Sequence, residues 1–229
     1  MFRYYTLLTL KDIQKDEASI INVLTTIKNN ELPNDITLLN YYRELPVNFP
    51  ASIESIDRGV VQMKVHDMQI ASMLIQKKTF IKSSHLPYGV ITNVVRLNKT
   101  NCIAYLTQFS YVRIHADQRI FVRVKVTGKY DAVFYSDTHR VRGHIEDISF
   151  SGVAIKAPKE SIPDESIEGT VSLYLPGKKL EVPGKLLKVQ EESIYVFELV
   201  VDEKSEKVLS HFIFQQQCQI IRELKEITG

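Results

Sequence analysis

The second half of the chain consists of short segments in which apolar and polar residues alternate. In residues 122–127, Val122, Val124 and Val126 alternate with polar residues, which predicts a strand with its valines in a core and Arg123 on the outer face. Similar segments lie at 133–135, 141–145, 153–155, 169–175, 180–189 and 193–201. Several short strands joined by turns predict a barrel or a sandwich, and closure into a barrel would remove exposed strand edges.

Apolar residues at helical spacing predict one helix near each end of the chain. The first covers residues 11–28 and stops at Asn29 and Asn30, because Asn tolerates the left-handed conformation at a helix C-terminus. The second follows Asp202 or Ser205, either of which can cap its N-terminus. The apolar face of the first helix contains Ile13, Ile20, Leu24 and Ile27, and that of the second contains Val208, Leu209, Phe212, Ile213, Ile220, Ile221 and Leu224.

Residues 35–112 form a further β-rich region, in which short apolar runs are separated by prolines. Within it, residues 68–76 fit a strand or a short helix equally well. We therefore predict a mainly β protein with two small β-barrel-like domains, an N-terminal helix and a C-terminal helix. The domain boundary is predicted between Ser110 and Gln118, which gives domains of residues 1–110 and 111–229.

The composition is that of an ordinary globular protein, with 44% hydrophobic and 24% charged residues among 229. The net charge of +2 lacks the sequence-wide basic excess of proteins that bind long nucleic acid. Cys102 and Cys218 share no metal-binding spacing, and lone cysteines fit a reducing compartment. No apolar run reaches the roughly 18 residues of a membrane span, and no signal peptide is apparent. We expect a cytoplasmic protein without a metal site or a membrane span.

Two short motifs carry the candidate chemistry, and the first is an arginine pair in the sequence Arg119-Ile120-Phe121-Val122-Arg123. An offset of four residues places both arginines on one face of an extended segment. A guanidinium group binds a phosphate, or the O6/N7 edge of a guanine, through two parallel hydrogen bonds that lysine cannot reproduce. Two such groups on one surface suit a ligand that contains both phosphates and guanines.

The second motif is Asp147-Ile148-Ser149-Phe150-Ser151-Gly152, at the end of a predicted strand. A carboxylate accepts hydrogen bonds from the N–H groups of a guanine, serine adds a small donor and acceptor, and glycine permits close backbone approach. Each motif alone is also typical of ordinary structure, namely a solvated strand face and an Asx-type turn. Their order, their separation by two short predicted strands and the trailing helix make the combination more specific.

The combination resembles the PilZ domain family, whose members bind cyclic di-GMP through an RxxxR motif followed by a (D/N)xSxxG motif. Arg119 and Arg123 match the first motif, and Asp147, Ser149 and Gly152 match the second. The resemblance implies that the two arginines hold the phosphates and guanine edges. It also implies that the second set holds a guanine and shapes the end of the strand.

The resemblance covers about residues 111–224, including a glycine-bearing strand at 182–185, and implies a six-stranded barrel closed by the C-terminal helix. Many family members carry an additional arginine immediately before the first motif. Gln118 occupies that position here and is a possible supplementary ligand contact. This departure leaves the motif intact, but it can alter the affinity or the number of nucleotides that bind.

A β-rich domain before a PilZ domain resembles the arrangement of YcgR-like flagellar brake proteins, in which ligand binding re-orients the two domains. By this resemblance the chain is a receptor that couples cyclic di-GMP binding at the domain junction to a change in interdomain geometry. The expected partner is a protein of motility, secretion or polysaccharide machinery, and no resident cofactor is expected. The alternative hypothesis is a PilZ-like protein–protein interaction module that binds no nucleotide.

The sequence offers little support for catalysis. It contains no P-loop, no GxSxG elbow and no HExxH motif, so we expect no enzyme activity and no metal. His139, Arg140, Arg142 and His144 form a basic cluster between the two motifs. We interpret this cluster as a solvated strand face, with a supplementary role at the ligand site as the other hypothesis.

Overall fold

The structure is a computed structural model that describes residues 4–115, 121–158, 166–190 and 193–228. The chain divides into two compact units. Unit 1 contains Met1–Tyr42, Pro46–Ile120 and Arg222–Gly229, and unit 2 contains Arg43–Leu45 and Phe121–Ile221. The described part of the chain is mainly β, as the alternating pattern predicts, with a sheet in each unit.

The first sheet is antiparallel and has the form of a half-barrel. Its strands are β1 (Tyr5–Leu7), β2 (Thr37–Tyr42), β3 (Leu45–Pro50), β4 (Ser52–Asp57), β5 (Val60–Lys64), β6 (Lys78–Lys82), β7 (Gly89–Asn98) and β8 (Ile103–Ile114). They are ordered β3-β2-β6-β7-β8-β5-β4, and β1 pairs with β8. The longest pairing, between β7 and β8, contains two register shifts, which bend the sheet and increase its twist.

Helix α1 (Ile13–Lys28) covers the core of unit 1 and confirms the predicted N-terminal helix. The side chain of Asp12 accepts a hydrogen bond from Lys15 N, and the helix ends at Asn29, as predicted. The left-handed conformation is adopted by the next residue, Asn30, with φ of 60°. The buried face of α1 is formed by Ile20, Leu24 and Ile27, which belong to the same apolar cluster as residues of β5 and β8.

The ambiguous segment 68–76 is a helix, α2 (Asp67–Gln76). Its N-terminus is capped by His66, whose Nδ1 accepts a hydrogen bond from Met68 N at 3.2 Å. Lys77 ends the helix in the left-handed conformation, with φ of 57°. These two caps decide between strand and helix, since the apolar residues of the segment fit either.

Asp35 carries a pH-dependent contribution to the stability of unit 1. Its carboxylate accepts hydrogen bonds from Ser83 Oγ at 2.5 Å and from Ser84 N at 2.7 Å, which lower the pKa of Asp35 to about 2. A carboxyl group with a lowered pKa stabilises the fold above its unfolded-state pKa of about 3.9, and this contribution is lost as the pH falls towards 2. The side chain of Asp35 is 35% exposed, so solvent screening reduces its contribution to the free energy of unfolding.

We therefore expect Asp35→Asn to destabilise the protein by about 1 kcal/mol at pH 6, and by progressively less between pH 4 and pH 2. Urea unfolding of wild type and variant across this pH range measures the difference. Asp57→Asn, at an exposed aspartate of β4, is the matched control. A difference between wild type and Asp35→Asn that stays constant from pH 6 to pH 2 would contradict the assignment.

The second sheet closes into a six-stranded barrel. Its strands are β9 (Val124–Lys125), β10 (Asp131–Tyr135), β11 (Arg140–Ser149), β12 (Gly152–Lys156), β13 (Glu168–Leu175), β14 (Lys178–Gln190) and β15 (Ile194–Leu199). The order β10-β13-β14-β15-β12-β11 is closed by pairing between β10 and β11, while β9 pairs with β11 outside the ring. The six ring strands confirm the strands predicted from alternation in residues 133–201, and closure removes their edges.

Helix α3 (Glu203–Thr228) follows the barrel and confirms the predicted C-terminal helix. Asp202 caps it, because its Oδ1 accepts a hydrogen bond from Ser205 N at 2.8 Å. Within unit 2, Leu209, Phe212 and Ile213 are buried, and the ring of Phe212 meets that of Tyr130 edge-on at 5.1 Å. No helix in the described ranges is both long and apolar enough to cross a membrane.

The predicted strand at 122–127 is shorter than its alternation suggested. Val124 and Val126 are buried, as predicted, but Val122 is 43% exposed, so its predicted place in the core is wrong. The pairing of β9 with β11 begins only at Val124. Because residues 121–123 precede that pairing, the strand pleat does not constrain the direction of their side chains.

Candidate functional site

The second motif lies at the end of β11, where the strand turns into β12. Ser149 pairs with Gly152 across a two-residue turn formed by Phe150 and Ser151. Upstream, the register shifts between Ile145 and Asp147, which marks a bulge in β11. Asp147 and Ser149 are both 6% exposed, so the strand end holds two polar side chains in a largely buried position.

Gly152 is required by close backbone packing rather than by its torsion angles. A Cβ atom at this position would lie 2.9 Å from the carbonyl oxygen of Phe197, on the neighbouring strand β15. Ser149 Oγ also donates a hydrogen bond to Gly152 O at 3.4 Å. The serine and the glycine of the motif therefore hold one tight hairpin end together.

The first motif reaches the second through Arg123. The Nε atom of Arg123 lies 3.4 Å from Oδ1 of Asp147, and these side chains are 24% and 8% exposed. The register explains the approach, because Lys125 pairs with Asp147 and Val124 pairs with Ile148. A largely buried carboxylate beside a guanidinium is a charge-assisted contact, which orients the planar arginine head.

Four of the six predicted site residues lie in the described part of the chain, and the structure brings them together. They are Arg123, Asp147, Ser149 and Gly152. Arg119 and Gln118 lie outside the described residues, and their roles stay predictions.

An aromatic pair lies at the same two motifs. The ring centroids of Phe121 and Phe150 are 5.6 Å apart, with an angle of 52° between the ring planes, and Phe121 is 44% exposed. Both residues occupy variable positions of the motifs, so the motif pattern does not identify them. In the sequence, this aromatic pair is indicated by the presence of one phenylalanine inside each motif.

Other charged groups around β11 lie at or near the surface, and two ion pairs are formed among them. Arg140, Arg142 and His144 are exposed along one face, as predicted for a solvated strand. His144 Nδ1 lies 2.9 Å from Asp131 Oδ1, and Lys125 Nζ lies 2.9 Å from Glu146 Oε1. Within the described ranges, no group of three or more His, Cys, Asp or Glu side chains is arranged to hold a metal ion.

A family model described as "PilZ domain" matches residues 112–215. The chain contains a PilZ domain. The match includes both motifs and all seven strands of the second sheet, and it confirms the family predicted from the two motifs. The matched region begins within β8 and ends within α3.

Several solved structures are similar over most of their length. YcgR from Escherichia coli in complex with c-di-GMP is 10% identical, covers 98% of this chain and 97% of its own, and gives a TM-score of 0.44. The K. pneumonia MrkH–c-di-GMP complex is 8% identical, covers 96% and 99%, and gives a TM-score of 0.43. The Bacillus subtilis inhibitor of motility MotI/DgrA is 12% identical, covers 81% and 97%, and gives a TM-score of 0.40.

No curated protein sequence matches the chain. The YcgR-like arrangement of the first domain therefore stays a prediction.

Proposed function

We propose that this protein is a receptor for cyclic di-GMP and that its PilZ domain binds the nucleotide. The observation that carries the proposal is the contact between Arg123 Nε and Asp147 Oδ1 at 3.4 Å, which joins the two motifs in one site. Membership of residues 112–215 in the PilZ family supports it. The proposal assigns the nucleotide a signalling role and includes no catalytic step.

The proposed roles follow from the hydrogen-bonding groups of the ligand. Arg119 and Arg123 bind the phosphates and the O6/N7 edges of the guanines, each through paired N–H donors. Asp147 orients Arg123 and accepts hydrogen bonds from the N–H groups of a guanine, and Ser149 adds a hydroxyl. Gly152 keeps the hairpin end tight, so that these groups are in place before the ligand arrives.

We further propose that binding changes the geometry between the predicted domains 1–110 and 111–229, and thereby the interaction with a protein partner. The support is the position of the arginine motif in the sequence, directly after the predicted boundary. A ligand shifts such an equilibrium only through different affinities for the two arrangements. The proposed location is the cytoplasm, with which the free cysteines Cys102 and Cys218 agree.

Small-angle X-ray scattering tests the coupling. Cyclic di-GMP at saturation is expected to change the radius of gyration of the full chain, while the same amount of cyclic di-AMP leaves it unchanged. Saturable nucleotide binding with identical scattering curves would leave the receptor proposal standing and refute the coupling.

Thermal unfolding with a panel of nucleotides tests the receptor proposal. A ligand at a hundred times its Kd stabilises the folded state by about 2.7 kcal/mol, which corresponds to a Tm increase of about 10 °C for a small domain. We expect this shift with cyclic di-GMP and none with cyclic di-AMP, because adenine lacks the O6 acceptor and the N1–H and N2–H donors of guanine. Equal shifts with both nucleotides would refute the assigned guanine contacts.

A further inference from the structure

Two apolar side chains beside the arginine of the first motif are exposed. Phe121 is 44% exposed and Val122 is 43% exposed, although Val124, the first residue of β9, is fully buried. Scattered apolar side chains on a surface are normal, so their exposure alone indicates nothing. What distinguishes Phe121 is its ring contact with Phe150, a residue of the second motif.

The hairpin turn presents Phe150 rigidly. Phe150 and Ser151 form the turn between the paired residues Ser149 and Gly152. After Phe150, Leu199 N donates a hydrogen bond to Ser151 O at 2.9 Å. The close packing at Gly152 leaves no room for a larger residue there. The backbone on both sides of Phe150 is therefore fixed, which limits how far its ring can move.

Both rings lie within reach of a nucleotide held by the ion pair. Phe121 is two residues from Arg123, so their Cα atoms are at most about 7 Å apart, and Phe150 is three residues from Asp147, which allows at most about 11 Å. A base whose edge contacts Arg123 or Asp147 would have its flat face near these rings. Aromatic side chains stack on bases with considerable free energy, whatever the base.

We infer that Phe121 and Phe150 form the surface on which one guanine base of the nucleotide stacks. This inference rests on the proposed function and assigns affinity-determining roles to two residues outside the motif positions. Arg123 and Asp147 read the edge of the base, and the aromatic pair covers its face. Selectivity for guanine therefore comes from the ion pair, and a large part of the affinity comes from the rings.

Substitution of Phe150 by leucine tests the inference, because leucine keeps the apolar volume and removes the flat ring. We expect Phe150→Leu to weaken cyclic di-GMP binding about tenfold in a calorimetric titration, with a preserved preference over cyclic di-AMP. Phe214→Leu is the matched control, since Phe214 is 62% exposed on α3 and outside both motifs. Its Kd is expected to equal that of wild type.

The absence of tryptophan from the sequence permits a second measurement. Phe150→Trp places a single indole at the proposed stacking surface, and Phe214→Trp places one on α3. We expect cyclic di-GMP to quench the emission of Phe150→Trp saturably, with the Kd found by calorimetry, and to leave the emission of Phe214→Trp unchanged. This readout reports the stacking contact itself, so a general loss of stability does not imitate it.

The outcomes separate the inference from the proposed function. Wild-type affinity in Phe150→Leu, or nucleotide binding by Phe150→Trp without a change in emission, would overturn the stacking role and leave the receptor function intact. Failure of the wild-type protein to bind cyclic di-GMP would overturn both.

Discussion

Replacement of Arg123 by alanine is expected to weaken cyclic di-GMP binding about a hundredfold or more. Removal of one partner from a desolvated, hydrogen-bonded charge pair costs about 2–5 kcal/mol. Arg123 is 24% exposed and lies 3.4 Å from the largely buried carboxylate of Asp147, so the variant loses both a ligand contact and the cation beside Asp147. The Kd is measured by anisotropy of a fluorescently labelled cyclic di-GMP.

Two further variants make this prediction specific. Arg123→Lys keeps the positive charge but lacks the planar pair of donors, so its affinity is expected to stay close to that of Arg123→Ala. Arg142→Ala removes an exposed arginine from β11 and is expected to bind as wild type. Full affinity in Arg123→Ala, or equal losses in Arg123→Ala and Arg142→Ala, would show that general positive charge rather than the motif holds the nucleotide.

The substitution Gly143→Ala is expected to destabilise the PilZ barrel by about 3 kcal/mol, which lowers its Tm by about 10 °C or more. Gly143 lies on β11 opposite Ala132 of β10, in the pairing that closes the barrel. A Cβ atom there would lie 2.1 Å from the carbonyl oxygen of Lys156. Because that oxygen belongs to the backbone of β12, only displacement of a strand can relieve the overlap. Thermal unfolding followed by circular dichroism measures the loss.

Gly89→Ala is the control for this prediction. Its Cβ atom would lie 2.9 Å from Cδ1 of Ile114, the far end of a flexible side chain that can rotate away. We expect Gly89→Ala to cost much less than Gly143→Ala. A similar Tm for the two variants would mean that the close strand packing at Gly143 is not required for closure.

The strands of the barrel could be predicted from alternation because one face of each strand is buried and the other is exposed. At β11, Val141 and Ile145 are buried while Arg140, Arg142 and His144 are exposed. The sequence shows this difference as an alternation of apolar and polar residues. Closure of the barrel could not be predicted from alternation in the same way. It depends on β10 pairing with both β11 and β13, and a local pattern does not specify partners.

The pattern of apolar residues gave a wrong or ambiguous prediction where strand pairing or helix caps determine the local structure. Val122 continues the alternation of Val124 and Val126, yet it precedes the paired part of β9 and is exposed. Residues 68–76 could not be assigned from their apolar positions, because the caps at His66 and Lys77 determine the helix. The division into domains 1–110 and 111–229 stays a prediction.

At the candidate site, the residue types and their motifs were predictable, but the contacts were not. Arg123 and Asp147 belong to different motifs, and only the pairing of β9 with β11 brings them together. The contact between Phe121 and Phe150 depends on the same pairing and on the tight turn before Gly152. The motif explains which groups are needed, and the register explains why they meet.

Calorimetric titration of the full chain with cyclic di-GMP, with Arg123→Ala measured in parallel, is the most direct test of the receptor function. We expect saturable binding to wild type at micromolar or lower ligand concentration, with heat released as the charged hydrogen bonds form. Arg123→Ala is expected to show no saturation in the same range. Absence of binding to folded wild-type protein at micromolar cyclic di-GMP would contradict the proposed function.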